Sequence, residues 1–281
     1  FQMLYGVRRD LQEALVRAIA ICCGVPLAGA ALTGSAVLNN RAVAPASPVI
    51  AAAADLSYAL AEVAQSFQRE TGMAVRLTFG SSGNFTQQIL QGAPFEMFLS
   101  ADEGYVEQLA KAGKTRDEGA LYGIGRIGIF APAGSPVLAD SELTDLAAAL
   151  TDGRLKKFAI ANPEHAPYGR AAQQALQHAG LWDKIKGRLV LGENVSQATQ
   201  FAASGSAQGG IIPLSLARAP PVARLGSFAL IPESWHAPLR QRMVLMKTAG
   251  ETAKAFYDYM QQPAARAVLR RYGFALPGET S

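Results

Sequence analysis

The sequence predicts an α/β protein whose sheets are mostly parallel and are covered by helices on both faces. Two observations lead to this class: short apolar runs alternate with segments of helical periodicity, and the loops after the runs are rich in small and hydroxyl residues. The first run, VIAAAA, is followed by LSYALAEVAQSFQRETG, in which Leu60, Val63 and Phe67 recur at helical spacing and Gly72 supplies a stop. A buried parallel strand reads as a continuous apolar run of this kind.

The same alternation continues along the chain. Further strands are predicted at VRLTF, FEMFLSAD, GRIGIFAP, KKFAIANPE, GRLVLGEN and GGIIPLS. Helices are predicted at FTQQILQGA, EGYVEQLAKAG, LTDLAAALTDG, GRAAQQALQHAG and SQATQFAASG. Strands separated by helices in this way are typical of doubly covered parallel sheets.

The length predicts two lobes. After the first 46 residues about 235 remain, which is generous for one doubly wound sheet. The passage GIGRIGIFAPAGSP, 123–136, is a candidate crossover between lobes, because its two prolines exclude the helix that a dinucleotide-binding G-x-G-x-x-G motif would need. We expect a first lobe from 47–125, a second from 126–230, and a return segment, 231–281, that completes the first lobe.

Residues 1–46 are predicted to be a secretory signal peptide. A basic stretch, an uncharged apolar run and a small-residue A-x-A segment follow one another in the order typical of such peptides. An uncleaved membrane anchor is the alternative, because the run is about 20 residues long. Both cysteines, Cys22 and Cys23, lie in this segment, and a periplasmic location is expected for the rest of the chain.

Charge and histidine spacing exclude other classes of ligand. Apart from the first 46 residues the chain has 22 basic and 20 acidic residues, so there is no electrostatic case for nucleic acid. The three histidines, His165, His178 and His236, share no metal-ligand spacing. We expect neither a resident metal nor a cofactor.

Four strand ends lead into helix starts that carry small or hydroxyl residues. These are Ala54-Asp55 with Ser57, Ser81-Ser82, Pro167-Tyr168 and Val195-Ser196. No basic side chain stands at these starts unless Arg170 or His165 turns inward. Ligands of open α/β sheets bind at the carboxyl ends of strands, and the free N–H groups at helix starts favour anions. The two serines between Gly80 and Gly83 are therefore predicted to donate hydrogen bonds to an anion.

Several passages resemble the molybdate-binding periplasmic proteins of ABC importers, a group of type II periplasmic binding proteins. The resemblance covers about residues 48–275 and rests most specifically on GAPFEMFLSAD and on FYDYM followed by RRYGF. It implies a two-lobed, monomeric protein that traps molybdate or tungstate between its lobes and delivers it to a membrane permease. It further implies an oxyanion site at Ala54, Asp55, Ser82, Tyr168 and Val195, where molybdenum is held only as the oxyanion.

Asp55 departs from the family, in which many members have a hydroxyl or amide at this position. Two unit charges 4 Å apart interact by roughly 4 kcal/mol at an effective dielectric of 20, so a carboxylate facing a dianion is costly. We expect its side chain to turn away and cap the following helix while its backbone N–H faces the ligand. If the side chain points inward, it accepts a proton from an anion such as hydrogen phosphate, which leaves sulfate or phosphate as alternative ligands.

One enzyme class remains as a distant alternative. GSSGN nearly spells the G-x-S-x-G nucleophile elbow of hydrolases, and the order serine, acid, histidine is formally met by Ser82, Asp183 and His236. No spacing argues that these three meet. A binding protein without catalytic chemistry is the favoured interpretation.

Overall fold

The fold consists of two five-stranded mixed sheets, each flanked by helices, in a computed structural model that describes residues 47–279. The signal peptide or anchor predicted at 1–46 lies outside the described residues. Each sheet with its helices forms one lobe, and the predicted α/β class with two lobes is confirmed.

The first lobe is built around a sheet of order β2-β1-β3-β10-β4. Its strands are β1 Val49–Ala53, β2 Arg76–Gly80, β3 Met97–Ser100, β4 Ala120–Gly125 and β10 Leu239–Leu245. Strands β1, β2 and β3 are parallel, whereas β10 runs antiparallel to both β3 and β4. The parallel part matches the prediction, and the antiparallel pairs come from a strand that returns from the other lobe.

The second lobe repeats this arrangement in the order β7-β6-β8-β5-β9. Its strands are β5 Ile127–Pro132, β6 Phe158–Ala161, β7 Leu189–Gly192, β8 Gly210–Pro213 and β9 Gly226–Leu230. Strands β6, β7 and β8 are parallel, and β5 runs antiparallel to β8 and β9.

Helices cover both faces of each sheet. Those of the first lobe are α1 Ser57–Thr71, α2 Ser82–Leu90, α3 Glu103–Lys111, α10 Glu251–Met260 and α11 Pro263–Arg271. Those of the second lobe are α4 Thr144–Thr151, α5 Pro167–His178, α6 Trp182–Ile185, α7 Val195–Ala203, α8 Leu214–Ala217 and α9 Pro220–Ala223. The predicted stop of α1 is confirmed: Gly72 follows the helix with φ +73°, a conformation that glycine adopts without steric cost.

The small residues of β1 let helices pack closely against both of its faces. Ala51 and Ala52 are fully buried, and they belong to different apolar clusters on opposite sides of the sheet. Successive side chains of a strand point to opposite faces, so an unbroken apolar run is what a doubly covered strand requires.

The chain crosses between the lobes twice. The first crossing lies at Arg126, between β4 and β5, where the sequence predicted a crossover instead of a dinucleotide loop. The second runs from 231 to 238, between β9 and β10. The Arg126 guanidinium pairs with Glu233 and donates to the Ile231 carbonyl at 3.3 Å, so the two crossings are tied side by side. Within residues 47–279, no helix is both long and apolar enough to cross a membrane.

Candidate oxyanion-binding site

A small cavity lies where the loops after β1, β2 and β6 meet the start of α7. Its lining includes all five residues predicted from the sequence. Ala54, Asp55 and Ser82 come from the first lobe, and Tyr168 and Val195 come from the second. The structure therefore brings the five together between the lobes, although their role in binding stays a prediction.

The cavity is surrounded by helix starts. Ser82, Tyr168 and Val195 lie in the first turns of α2, α5 and α7. The first N–H groups of an α-helix have no acceptor within the helix, and the helix dipole makes this end partly positive. Three such ends converge on the cavity, and none of its lining residues is basic. The site attracts negative charge through backbone dipoles.

Ser82 is the hydroxyl best placed to donate into the cavity. Its side chain is fully buried, and its Oγ accepts a hydrogen bond from the Ala101 N–H at 3.0 Å. Among the described residues no acceptor takes the hydroxyl proton itself, so that proton is available to a ligand oxygen. Ser81 has a different role, because its Oγ accepts from the Asn84 N–H, caps α2, and contacts His165 Nδ1 at 2.9 Å.

The prediction that the Asp55 side chain caps the following helix is wrong. Asp55 is 1% exposed, and its Oδ2 accepts hydrogen bonds from the Tyr168 hydroxyl and from Gln241 Nε2, both at 2.9 Å. Helix α1 begins after Leu56 without any side-chain cap. Tertiary donors, one from the second lobe and one from β10, hold the carboxylate in place of the local helix start.

Gln241 is the centre of a buried polar network that the sequence patterns did not predict. Its Nε2 donates to Asp55 and also to the Tyr168 oxygen at 2.8 Å, while its Oε1 accepts from the Tyr122 hydroxyl at 2.6 Å. All of its polar atoms are thereby used, although the side chain is 0% exposed. The sequence does hold a signal for the burial of Gln241, because strand alternation places it on the same face as the buried Leu239 and Met243.

A bulge in the first sheet lies at this network. Gln241 pairs with Gly123 and Arg242 with Leu121, so Tyr122 has no opposite residue in β10. Bulges redirect side chains next to functional sites. Gly125 leaves space for the Tyr168 hydroxyl, because a side chain at position 125 would collide with it.

Burial controls the ionisation of the network. Desolvation raises the pKa of Asp55 from 3.8 to about 6, against the opposing effect of the Gln241 and Tyr168 hydrogen bonds. Burial and the nearby Asp55 charge raise the pKa of Tyr122 and of Tyr168 well above the usual value of a tyrosine. Both tyrosines are therefore neutral donors, and Asp55 is the group of this network that changes charge near neutral pH.

The lobes are in direct contact around the cavity. The Gly83 N–H donates to the His165 carbonyl at 3.0 Å, and Ser196 Oγ and Ser215 Oγ donate to the carbonyls of Ala54 and Asp55 at 2.9 and 2.8 Å. Gly83 has no room for a side chain, because a Cβ would lie 2.7 Å from the His165 oxygen.

Arg170 joins the lobes at the rim. It contacts Asp102 at 2.5 Å and donates to the Tyr105 hydroxyl at 2.9 Å. Neither Arg170 nor His165, the two basic side chains near the predicted loops, lines the cavity.

Wider grooves on the described surface lack these features. One wide groove runs between the lobes past Tyr58, Phe79 and Leu216. Its lining is largely apolar, and it lacks the convergence of helix starts, so it does not suit a small anion.

The residues of the hypothetical hydrolase triad do not meet. Asp183 pairs with Lys186, and His236 Nδ1 contacts the Ala237 carbonyl, while Ser82 is bonded to Ala101. Within residues 47–279, no group of histidine, cysteine or acidic residues is arranged to hold a metal ion. What the cavity can do is hold a small anion between two lobes, which is the architecture of a two-lobed binding protein.

Comparison with known proteins agrees with this class. The family model described as bacterial extracellular solute-binding protein matches residues 48–275. The chain belongs to this family.

Two relatives and one solved structure narrow the resemblance. The chain is 35% identical to the molybdate-binding protein ModA of Rhodobacter capsulatus, over 85% of this chain and 92% of that protein. It is also 35% identical to ModA of Azotobacter vinelandii, over 81% of this chain and 89% of that protein. The solved structure of the periplasmic molybdate-binding protein of A. vinelandii superimposes with a TM-score of 0.75 at 32% identity, covering 82% of this chain and 99% of the other.

Proposed function

We propose that this protein captures molybdate, and tungstate with it, for an ABC importer. The observation that carries the proposal is the cavity between the lobes, lined by hydroxyl and backbone donors from helix starts and by no basic side chain. Relatives that cover most of the chain at 35% identity are named for molybdate binding. A tetrahedral dianion offers only acceptors, so a site of N–H and O–H donors satisfies all of its oxygens.

The proposed binding residues are those predicted from the sequence. Ser82 donates its hydroxyl, and Ala54, Asp55, Tyr168 and Val195 contribute backbone N–H groups. The two lobes close over the anion, because contacts from both lobes are made only in the closed form. Their predicted limits are 47–125 plus 231–281 for the first lobe and 126–230 for the second.

The remaining parts of the proposal follow from this role. The protein acts in the periplasm as a monomer, with residues 1–46 as its export signal, and passes the anion to a membrane permease. No catalytic step, resident metal or cofactor is involved.

Competition among four anions tests the proposal. Molybdate, tungstate, sulfate and phosphate are titrated separately and in pairs into the purified protein by calorimetry, with tryptophan and tyrosine fluorescence as a second readout. We expect one molybdate or tungstate per chain, each displacing the other. Both should bind at least about tenfold more tightly than phosphate, whose proton leaves a mismatched hydrogen bond that costs about 1–3 kcal/mol. Both should also bind more tightly than sulfate, which is smaller. Absence of saturable binding, or turnover of an ester substrate, would contradict the proposal.

A second candidate is a binder of another tetrahedral oxyanion. Asp55 favours it, because this residue lines the cavity and its carboxylate is an acceptor that a protonated anion such as hydrogen phosphate can satisfy. Tighter binding of phosphate than of molybdate in the same titration would select this candidate.

A further inference from the structure

Asp55 belongs to the cavity lining and has an incompletely satisfied carboxyl group. Its Oδ2 accepts hydrogen bonds from Tyr168 and Gln241. Its Oδ1 is buried and receives no hydrogen bond from another described residue, so the Asp55 backbone N–H is the one further donor near the carboxyl. Asp55 is the one acidic residue of the cavity lining, which also contains the hydroxyl residues Ser81, Ser82 and Tyr168. A buried oxygen without a partner is costly unless the ligand supplies one.

We infer that Asp55 carries a proton in the anion-bound protein, so that each oxyanion is bound together with one proton taken up from solution. This inference rests on the proposed function. The proton adds to Oδ1 of the ionised carboxylate, and the resulting O–H donates to an oxygen of the anion. Oδ2 remains the acceptor of Tyr168 and Gln241, so the network is unchanged.

The electrostatics of the cavity support this protonation. Burial raises the pKa of Asp55 to about 6 with the two lobes in contact. A dianion beside the carboxyl raises it further, since like charges disfavour ionisation. Asp55 is therefore largely ionised in the free protein at about pH 7.5 and protonated when the anion is bound.

Two other titratable groups touch the Asp55 network, and both keep the same charge near neutral pH. The titratable groups that touch or face the Asp55 network are Tyr122 of β4 and Tyr168 of α5, and both stay neutral. Ser215 of α8 and Gln241 of β10 are uncharged. Groups one contact further out are His165 with Glu193, and Arg170 with Asp102.

Asparagine at position 55 is the informative replacement. Its carbonyl oxygen accepts from Tyr168 and Gln241 as Oδ2 does, and its amide donates toward the anion without needing a proton from solution. At pH 7.5 a carboxyl with a pKa of about 6 is protonated in roughly one molecule in 30, and apparent affinity is reduced by that fraction. Asp55→Asn should therefore bind molybdate about 30-fold more tightly than the natural protein at pH 7.5, and with nearly equal affinity at pH 5.5.

The first experiment measures molybdate affinity from about pH 6.5 to 8. We expect the Kd of the natural protein to rise about tenfold per pH unit, and the Kd of Asp55→Asn to stay constant. Ser82→Ala, which removes a donor but keeps the carboxyl, should bind more weakly with the same slope. His165→Gln should also keep the slope; if it abolishes the slope, the proton belongs to His165 and the inference fails.

The second experiment needs no variant. Calorimetry of molybdate binding at about pH 7.5, in two buffers of different ionisation enthalpy that are not oxyanions, gives the number of protons exchanged. One proton taken up per anion supports the inference, and none overturns it.

The proposed function and the role of Asp55 can fail separately. If the natural protein binds molybdate with no proton uptake and no pH slope, only the role of Asp55 is wrong. If it binds none of the four anions at any pH, the proposed function is wrong and this inference falls with it.

Discussion

The backbone N–H of Gly83 donates to the carbonyl of His165 at 3.0 Å, and this bond joins the first turn of α2 in one lobe to the loop before α5 in the other. It explains why a glycine follows Ser82. A Cβ at this position would lie 2.7 Å from the His165 oxygen and 2.9 Å from the Tyr105 hydroxyl, so only glycine lets the lobes approach this closely.

Replacing Gly83 with alanine should therefore hinder closure. We expect Gly83→Ala to weaken molybdate binding at least about tenfold while the unfolding curve without anion shifts little, because the added methyl obstructs a contact between lobes and not a lobe core. Calorimetry measures the first effect and urea unfolding the second. Gly187→Ala is the matched control, since its Cβ has no atom within 4 Å. Unchanged affinity in Gly83→Ala would show that the closed contact is not used in binding.

Removing the Ser82 hydroxyl should weaken binding, and it also leaves the buried Ala101 N–H without its acceptor. The hydroxyl proton has no acceptor among the described residues, and one lost hydrogen bond to a charged group costs about 1.5–3 kcal/mol. Ser82→Ala is expected to raise the Kd for molybdate about 10- to 150-fold. Ser66→Ala, at a serine of α1 whose Oγ accepts from Arg69, should leave the Kd unchanged. Equal affinity for both variants would remove Ser82 from the site.

Removing the Tyr168 hydroxyl should destabilise the protein most at alkaline pH. Tyr168→Phe deprives Asp55 Oδ2 of a donor and Gln241 Nε2 of an acceptor, and an unpaired buried group costs about 1–3 kcal/mol. The loss should be smaller at about pH 5, where Asp55 is mostly neutral. Urea unfolding at about pH 5 and pH 8 measures the difference, with the exposed Tyr58→Phe as control. A loss independent of pH would indicate packing instead of charge stabilisation.

The raised pKa of Asp55 also predicts how stability depends on pH. Between pH 3.8 and about 6 the folded protein holds more protons at Asp55 than the unfolded chain does, so the free energy of unfolding falls as the pH rises through this window. Above about pH 6 the free energy of unfolding has fallen by roughly 3 kcal/mol because of Asp55, at 1.36 kcal/mol per pKa unit.

Asp55→Asn should lack this contribution. Without anion, we expect it to be more stable than the natural protein at about pH 7 to 8, by up to about 3 kcal/mol, and to have no advantage at about pH 4. Asp183→Asn, at an exposed carboxyl paired with Lys186, is the control and should follow the natural protein. An advantage of Asp55→Asn that is the same in acid and in mild alkali would contradict the assignment of the raised pKa.

The sequence predicted the parts of the molecule that depend on local pattern. Strands, helices and the stop at Gly72 follow from periodicity and glycine conformation, and the loops at 54–55, 82, 168 and 195 follow from the rule that ligands lie at the carboxyl ends of strands. Those loops do meet at one cavity.

The Asp55 environment could not be predicted because it is made by distant residues. Gln241 lies 186 positions along the chain and Tyr168 113 positions, in another lobe. From the sequence alone a helix cap is the best local use for an aspartate after a strand. Two tertiary donors outweighed that local preference, and the second one, Gln241, lies beside a bulge at Tyr122.

The strand order of the first sheet has a consequence for how the chain folds. Strand β10 is the last strand in sequence, yet it lies between β3 and β4, so β4 has no neighbour in the sheet until residues 239–245 are available. The five strands of the second sheet are contiguous in sequence and can pair before then. Because long loops must close before distant contacts form, the second sheet should assemble first during refolding, which pulse-labelling hydrogen exchange can observe. In a nascent chain the first sheet would therefore stay incomplete at β4 until residues 239–245 had emerged.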